Sequence, residues 1–334
     1  MDVPVWVWIV TVAAILAMLV VDYLGHVRTP HAPTLKESAW WSLAYVAVAL
    51  VFGAIVFAGW GSQYGGEYFA GYITEKSLSV DNLFVFVLIM TSFRVPREHQ
   101  QRVLLVGITI ALVLRTIFIL AGAALIANFA WIFYLFGAFL VWTAIAQARA
   151  GTSHDEEFTE NAVLRLTRRL FRTTDDYVEH RMTVRMDGKR YITPMLIVMV
   201  AIGSADLLFA VDSIPAIFGL TQETFLVFAA NAFSLLGLRQ LYFLVDGLLD
   251  RLVFLNYGLA AILGFIGVKL VIHALHTNEL PFVNGGEHVE VIPEIPTSYS
   301  LAFIVVVLGI TTVTSLMKTR RDRRISATVE KGDG

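Results

Sequence analysis

The chain has 334 residues, of which 57% are hydrophobic and only 16% are charged. Soluble domains carry about 25% charged residues, so this composition excludes an ordinary soluble protein. The formal net charge is only -2, and we expect no nucleic-acid partner. The sequence contains no cysteine, which excludes disulfide bonds and thiolate metal sites.

Apolar segments recur along the whole chain, and many reach the length of about 20 residues that a helix needs to cross a bilayer. We therefore predict an all-α, polytopic membrane protein that forms a single integral membrane domain over residues 1–334. The first apolar segment lacks the basic region and the cleavage site of a signal peptide, so we interpret it as a retained span. The nine predicted spans are residues 4–22, 39–60, 67–93, 103–125, 130–148, 192–220, 224–247, 253–275 and 299–317.

Among the connections between the predicted spans, only alternate ones contain lysine or arginine. The long connection 149–191 contains nine of them and the tail 318–334 contains six, whereas the connection 276–298 contains none. Basic connections remain in the cytoplasm during membrane insertion. This pattern therefore predicts that the N-terminus is outside and the C-terminus inside.

The predicted cytoplasmic connection 149–191 contains two further signals. Residues 158–172 mix leucine and phenylalanine with arginine, which fits either a basic amphipathic helix on the inner leaflet or a solvated loop helix. The pair Asp187-Gly188 stands between alternating residues and predicts a β-hairpin. We expect a protein partner, if there is one, to dock on this connection.

Two acidic stretches lie inside predicted spans, and they resemble each other. In the first, Glu75 precedes a Val-Asp pair that ends at Asp81, and in the second, Asp206 precedes a Val-Asp pair that ends at Asp212. In both, the two carboxylates are six residues apart. An acid at bilayer depth is energetically costly, so its presence indicates a functional site.

The similarity extends over three spans in each half of the chain. A Leu-Arg pair that ends at Arg115 matches a second pair that ends at Arg239, each in the span after an acidic one. We therefore predict that residues 67–148 and 192–275 are repeats. Because three spans is an odd number, the two copies would cross the membrane in opposite directions. Such inverted repeats with paired polar interruptions are typical of transporters with a site near the bilayer midplane.

Helical spacing decides which polar groups share a face. Residues seven apart lie on one face, so Glu75 pairs with Asn82 and Asp206 with Ser213, whereas residues six apart are about 120° away from sharing one. For both acids of one stretch to serve one ligand, either the helix must unwind between them or the ligand must move. If the helices unwind, Ser77 and Ser79 can satisfy freed backbone groups in the first copy, and Pro215 breaks the backbone hydrogen-bond ladder in the second.

The candidate ligand atoms are all oxygen, which suits hard divalent cations such as Mg²⁺, Ca²⁺ and Mn²⁺ better than Cu⁺ or Zn²⁺. Arg115 and Arg239 are expected to be counter-charges that hold the acids when no metal is bound. The alternative is that the acids form structural ion pairs with these arginines, Lys76 and Lys269. The predicted metal-handling residues are Glu75, Asp81, Asn82, Asp206, Asp212, Ser213 and, at the inner end of the first span, Asp22.

Two motifs carry a resemblance to a known family. They are Glu75-Lys-Ser-Leu-Ser-Val-Asp-Asn-Leu-Phe-Val-Phe86 and Phe209-Ala-Val-Asp-Ser-Ile-Pro-Ala-Ile-Phe218. They resemble the signature stretches of the TerC family, and the chain looks most like the Alx-like branch of that family, within the LysE-like superfamily of transporters. The resemblance covers nearly the full length of the chain.

The resemblance implies a multi-pass protein of the bacterial inner membrane that handles Mn²⁺ by export. It implies that Glu75, Asp81, Asp206 and Asp212 are the residues that handle the metal. The sequence departs from the family pattern at Gly203, where many relatives carry an acid. That departure lowers the number of ligands expected in the second copy and bears on affinity and metal choice.

We therefore predict a secondary transporter that exports a divalent cation, with Mn²⁺ as the expected substrate and no bound cofactor. Exchange for protons is compatible with this prediction, because a desolvated carboxylate can titrate near neutral pH and release metal. The sequence has no nucleotide-binding motif and no catalytic Ser/His or His/Glu spacing in its spans, so we expect no enzyme activity. The alternative is an accessory membrane protein that delivers metal to secreted enzymes or docks a stress-response partner.

Overall fold

A computed structural model of the chain describes residues 1–27, 33–150, 164, 165, 167, 169, 173, 174, 182–186, 189–245, 253–281, 283–289 and 291–330. The side chains of Asp81, Ala150, Val245, Arg320 and 322–330 are not among those described. The principal helices are α1 (Val5–Asp22), α2 (Leu35–Trp60), α3 (Ser62–Ser92), α4 (Arg97–Asn128), α5 (Ile132–Ala150), α6 (Pro194–Phe218), α7 (Thr224–Leu235), α8 (Leu238–Val245), α9 (Leu255–His276) and α10 (Thr297–Glu330).

The predicted all-α membrane fold is confirmed. Among the described residues, eight helical segments are long and apolar enough to cross a membrane. The acidic helix α3 has 31 residues, but it carries several charged residues and is not one of the eight. It accounts for the difference from the nine predicted spans. The number of spans and their orientation stay predictions.

The start of two helices follows directly from the local sequence. Before α2, Thr34 Oγ1 accepts a hydrogen bond from the Glu37 amide at 3.2 Å, and Glu37 Oε2 accepts one from the Thr34 amide at 3.4 Å. This reciprocal pair satisfies amide groups that have no partner inside the helix. Pro194 occupies the first turn of α6, where its missing N–H leaves no helical bond unmade.

The acidic helices α3 and α6 lie inside the bundle. They pack against each other, and α7 packs against α3 and α4. All residues of α7 from Phe225 to Leu235 are buried. In contrast, α1, α2 and α10 carry exposed apolar side chains such as Trp6, Trp40 and Val306. These outer helices therefore present the surface that suits contact with lipid.

Helices α5 and α9, the third helices of the two predicted repeats, approach each other closely at two glycines. A Cβ on Gly137 would lie 2.9 Å from the carbonyl oxygen of Gly267, and a Cβ on Gly267 would lie 3.0 Å from that of Gly137. Small residues allow such close backbone packing in membranes. This crossing joins the two repeats at one edge of the bundle.

The acidic helices do not unwind, and the alternative in which the ligand moves stays a prediction. Helices α3 and α6 continue through Ser77, Ser79 and Pro215. Ser77 Oγ donates to the Ile73 carbonyl oxygen at 2.7 Å, which is an ordinary contact within a regular helix. Pro215 stands so near the end of α6 that its missing N–H removes one backbone bond without ending the helix.

The seventh predicted span is broken instead. Helix α7 ends at Leu235, and α8 begins three residues later. Between them, Gly237 has a φ of 83°, in the left-handed region that glycine adopts readily. The break stands two residues before Arg239, so it decides where that side chain can reach.

Part of the connection between α5 and α6 forms a small hairpin. Strands β1 (Thr183–Met186) and β2 (Lys189–Ile192) pair antiparallel, at the position predicted from the Asp187-Gly188 pair. That pair lies outside the described residues, and so does most of the predicted amphipathic helix 158–172. At the other end of the chain, α10 continues to Glu330, well into the segment interpreted as the tail.

Candidate metal centre

A buried arginine joins the two acidic helices. Arg115, on α4, is 0% exposed. Its Nε lies 2.7 Å from Asp206 Oδ2 and its Nη2 lies 3.0 Å from Asp206 Oδ1 on α6. Its Nη1 lies 2.9 Å from Glu75 Oε2 on α3. Charge-assisted, forked contacts of this kind are about twice as strong as neutral hydrogen bonds. They bring together one predicted ligand from each repeat.

Two residues on α6 lie next to this ion pair. Ser213 Oγ is 3.3 Å from Arg115 Nη1, as expected for a residue seven positions after Asp206 on a continuous helix. Asp212 is half-buried and within electrostatic range of Glu75 and Arg115. Arg115 therefore contacts two carboxylates directly and lies within electrostatic range of a third.

Helix α7 contributes polar groups that the motifs do not identify. Asn231, 1% exposed, donates from Nδ2 to Glu75 Oε1 at 3.1 Å. One turn later, the carbonyl oxygen of Ser234 accepts from Lys76 Nζ at 3.0 Å, and the Ser234 hydroxyl lies 3.2 Å from that of Ser79. A signal was present in the sequence, since Asn231 is the one amide side chain between Thr224 and Leu235 in an apolar segment. We define the Arg115 cluster as Glu75, Arg115, Asp206, Asp212, Ser213 and Asn231.

Two other predicted ligands lie on α3. Asn82 is buried, and the hydrogen bonds described for the cluster do not include it. The side chain of Asp81 lies outside the described residues, so its role as a ligand stays a prediction. Because α3 is continuous, Asp81 is about 120° away from sharing the helix face of Glu75.

A second buried cluster surrounds Arg239 on α8. Arg239 Nη2 lies 3.0 Å from Asp22 Oδ1, and Arg239 Nη1 lies 2.8 Å from Gln101 Oε1. Asp22 Oδ1 also accepts from Gln240 Nε2 at 3.0 Å and from the Tyr45 hydroxyl. These five residues are the Arg239 cluster. They come from α1, α2, α4 and α8, which meet at the predicted inner side.

The Arg239 cluster corrects one part of the sequence interpretation. Arg239 is a counter-charge, but its carboxylate partner is Asp22 rather than the acids of the two stretches. Asp22, expected to be a metal ligand, shares none of its described partners with the Arg115 cluster. The physical reason is the break at Gly237, which directs α8 toward α1 and α2 before Arg239 is reached.

Gly203 lies in a tightly packed part of α6. A Cβ at this position would lie 2.9 Å from Ile110 Cγ2 on α4. An acidic side chain would meet that aliphatic group, which would have to move. The departure from the family pattern therefore coincides with apolar packing between α4 and α6.

A cavity of about 770 Å³ opens at the predicted outer side. On its wall, Glu67 Oε2 accepts from Thr221 Oγ1 at 2.6 Å, and Lys269 lies within electrostatic range of Glu67. At 1.5 Å rise per residue, Phe218 at the cavity lies about 9 Å along α6 from Asp212. The residues that line the cavity include Ser62, Glu67, Phe218, Thr221, Glu223, Lys269, His273 and Glu294.

Among the side chains that the structure describes, no three acidic or imidazole groups converge as ready metal ligands. In the Arg115 cluster, the guanidinium contacts both Glu75 and Asp206. A cation that used these two carboxylates would have to displace Arg115 from at least one of them.

Comparison with known proteins gives one family and several bacterial relatives. A family model described as "Integral membrane protein TerC family" matches residues 60–323. An uncharacterized membrane protein of Mycobacterium tuberculosis H37Rv is 53% identical over 317 residues, which cover 94% of this chain and 80% of that protein. An uncharacterized membrane protein of Myxococcus xanthus is 39% identical over 313 residues, which cover 94% and 92%.

A further relative is the Alx protein of Escherichia coli K12, which is named as a candidate membrane-bound redox modulator. It is 42% identical over 267 residues, which cover 76% of this chain and 82% of that protein. No solved structure matches the chain.

Proposed function

The chain belongs to the TerC family of integral membrane proteins, and we propose that it is a secondary transporter that exports a divalent metal cation. The observation that carries this proposal is the Arg115 cluster. It buries Glu75 and Asp206, from the two predicted repeats, against a single guanidinium. A buried polar group of this kind marks ion pathways in membrane proteins.

The charge of the cluster supports a divalent substrate. Glu75, Asp206 and Asp212 carry three negative charges, and Arg115 carries one positive charge. The acids outnumber the guanidinium, so a cation that displaces Arg115 from Glu75 or Asp206 would still meet an excess of negative charge, and carboxylate oxygen is the ligand that hard divalent cations prefer. Protons could neutralise the same carboxylates, which makes proton exchange the simplest coupling.

Mn²⁺ is the substrate that we propose, because the resemblance to the TerC family implies it. Oxygen ligands alone do not separate Mn²⁺ from Mg²⁺. The proposed location is the bacterial inner membrane, since the compared relatives are bacterial membrane proteins. Export likewise rests on the resemblance. The cavity at the predicted outer side lies about 9 Å along α6 from Asp212 and would give a cation access to that side.

An accessory role is the second candidate, and the hairpin of β1 and β2 favours it. The hairpin places a small folded element on the predicted cytoplasmic side, where a partner could bind. The redox name of the Alx relative adds a third possibility. Because this chain has no cysteine, such a role could not use thiols of its own.

The test is metal flux through the purified protein in sealed vesicles. Wild-type protein alone should move Mn²⁺, and Asp212→Asn should lower the flux about 100-fold or more, since it removes a half-buried carboxylate without breaking an ion pair of Arg115. Glu98→Gln is the matched control, because Glu98 is an exposed acid at the start of α4. Flux that requires an added partner would favour the accessory role. Wild-type flux in Asp212→Asn would refute the proposed site.

A further inference from the structure

One oxygen atom in the Arg115 cluster has no hydrogen-bond donor. Asn231 uses its Nδ2 to hold Glu75, but its Oδ1 is buried and has no partner among the described side chains. A buried amide oxygen that has lost its water and gained no donor destabilises the protein. Such an atom in a native structure therefore calls for a partner.

The orientation of the amide is fixed by its neighbour. If the oxygen and nitrogen of Asn231 exchanged places, Oδ1 would face Glu75 Oε1, and two acceptors would repel each other. The nitrogen must therefore point to Glu75. The oxygen is left on the other side of an amide whose nitrogen contacts Glu75, a carboxylate that the proposed function assigns to the cation.

The residues around Asn231 in α7 are buried and give its side chain no contact with solvent. It lies in the middle of α7, where every neighbour from Phe225 to Leu235 is buried. One turn away, Ser234 already has its partners on α3, Lys76 and Ser79. The seam between α3 and α7 is thus held in register on one side of Asn231.

Among the described side chains near Glu75, Thr74 Oγ1 is the other buried oxygen without a partner. It is a weaker candidate, because adjacent residues on a helix point about 100° apart. Thr74 therefore does not share the face of Glu75, whereas Asn231 touches the Glu75 carboxylate directly.

We propose that Asn231 is a ligand of the transported cation and binds it through Oδ1. The inference rests on the proposed function and adds a neutral ligand from a third helix to the carboxylates of α3 and α6. An amide oxygen is a usual ligand for hard divalent cations. Because it is neutral, it completes the coordination without changing the charge balance of the cluster. It also favours hard cations over soft ones.

The rival account is that Asn231 only positions Glu75 through its Nδ2. Asn231→Leu removes both the oxygen and the nitrogen, so it weakens metal binding under either account. A variant with a different ligand atom separates them. Asn231→Cys removes the donor to Glu75 but supplies sulfur, which prefers soft cations. The chain has no other cysteine to interfere.

The experiment measures Mn²⁺ and Cd²⁺ affinities of the purified full-length protein by titration calorimetry. Asn231→Leu should weaken Mn²⁺ binding roughly tenfold or more. Asn231→Cys should weaken Mn²⁺ binding, strengthen Cd²⁺ binding, and so raise the ratio of the two affinities by roughly tenfold or more. Asn128→Cys, on the exposed end of α4, is the control and should leave the ratio unchanged.

The outcomes separate the two proposals. If wild-type protein binds Mn²⁺ and Asp212→Asn does not, but Asn231→Cys keeps the wild-type ratio, Asn231 is not a ligand and only the inference fails. Equal losses of both metals in Asn231→Cys would likewise support the positioning account and overturn the inference. If wild-type protein binds neither metal, the proposed function fails and the inference falls with it.

Discussion

The two predicted repeats place the same Leu-Arg pair in different structural settings. In the first copy, Arg115 stands in the middle of α4, which is continuous from Arg97 to Asn128, and it contacts carboxylates on α3 and α6. In the second copy, Arg239 follows a break and contacts Asp22 on α1. Equivalent sequence motifs therefore have different partners, and only one of the two arginines belongs to the candidate metal centre.

The difference is explained by the chain around Gly237. Its left-handed φ ends α7 and lets α8 leave in a new direction. A Cβ at this position would lie 3.0 Å from Tyr45 Cβ on α2, so the break is also packed against its neighbour. The Tyr45 hydroxyl in turn donates a hydrogen bond to Asp22, the carboxylate partner of Arg239. The first copy has no such break between Arg97 and Asn128.

The inverted relation that we predict between the two copies can be tested by an all-or-none labelling result. α3 should begin outside and α6 should begin after a cytoplasmic hairpin, so Ser62→Cys and Thr183→Cys should react with an impermeant maleimide from opposite sides. Both positions are exposed, and the wild-type chain has no cysteine to react. Labelling of both cysteines in intact cells, or of neither after the membranes are opened, would contradict the inverted topology.

Variants that lack Arg115 or Arg239 should differ in how much added metal restores their thermal stability. Arg115→Gln and Arg239→Gln each leave a buried carboxylate without its cation, which costs about 3–5 kcal/mol in a folded protein. Thermal unfolding in detergent with a chelator should therefore show a large loss of stability in both variants. Added Mn²⁺ should restore much of the stability of Arg115→Gln, because the metal replaces the guanidinium, and little of that of Arg239→Gln.

Rescue of both variants by Mn²⁺ would place Asp22 in a metal site and remove the distinction between the clusters. Rescue of neither variant would favour purely structural ion pairs in both places. Glu98→Gln at the same Mn²⁺ concentration serves as the control for general effects of divalent salt, because Glu98 is an exposed acid outside both clusters.

Much of the membrane fold could be predicted because its signals are local. The length of each apolar segment reports a span directly. Glu75 and Asp206 could be identified as central because an acid in an apolar span is rare and costly. The pairing of Asp206 with Ser213 followed from helical periodicity alone, and both contact Arg115.

The remaining features depend on tertiary packing. The residues near Pro215 do not indicate that α6 continues through it. Whether a proline ends a helix depends on its distance from the helix end, which tertiary packing sets. The glycine at 237 was an available signal for a break, but a single glycine is also tolerated inside membrane helices. The role of Asn231 depends on the packing of α7 against α3, which brings its amide to Glu75. The division of the acids between two arginines required the direction of α8.

The break itself can be tested with a smaller change. Gly237→Ala should destabilise the protein by about 1–2 kcal/mol, because an L-residue resists a left-handed φ, and the contact with Tyr45 Cβ adds to this. Gly59→Ala is the matched control. It lies inside α2 with no atom within 4 Å of its added Cβ, so it should be neutral or stabilising by about 0.5–1 kcal/mol. Chemical unfolding in detergent gives both values, and equal effects would mean that the strain at Gly237 is unimportant.

The most direct test of the central claim is the affinity of the purified Arg115→Gln variant for Mn²⁺, compared with wild-type protein by titration calorimetry. In our account, Arg115 competes with the cation for Glu75 and Asp206. The variant should therefore bind Mn²⁺ as tightly as wild-type protein or more tightly. If the variant is folded and binds no Mn²⁺, then Arg115 helps to build the site rather than to occupy it, and the account is wrong.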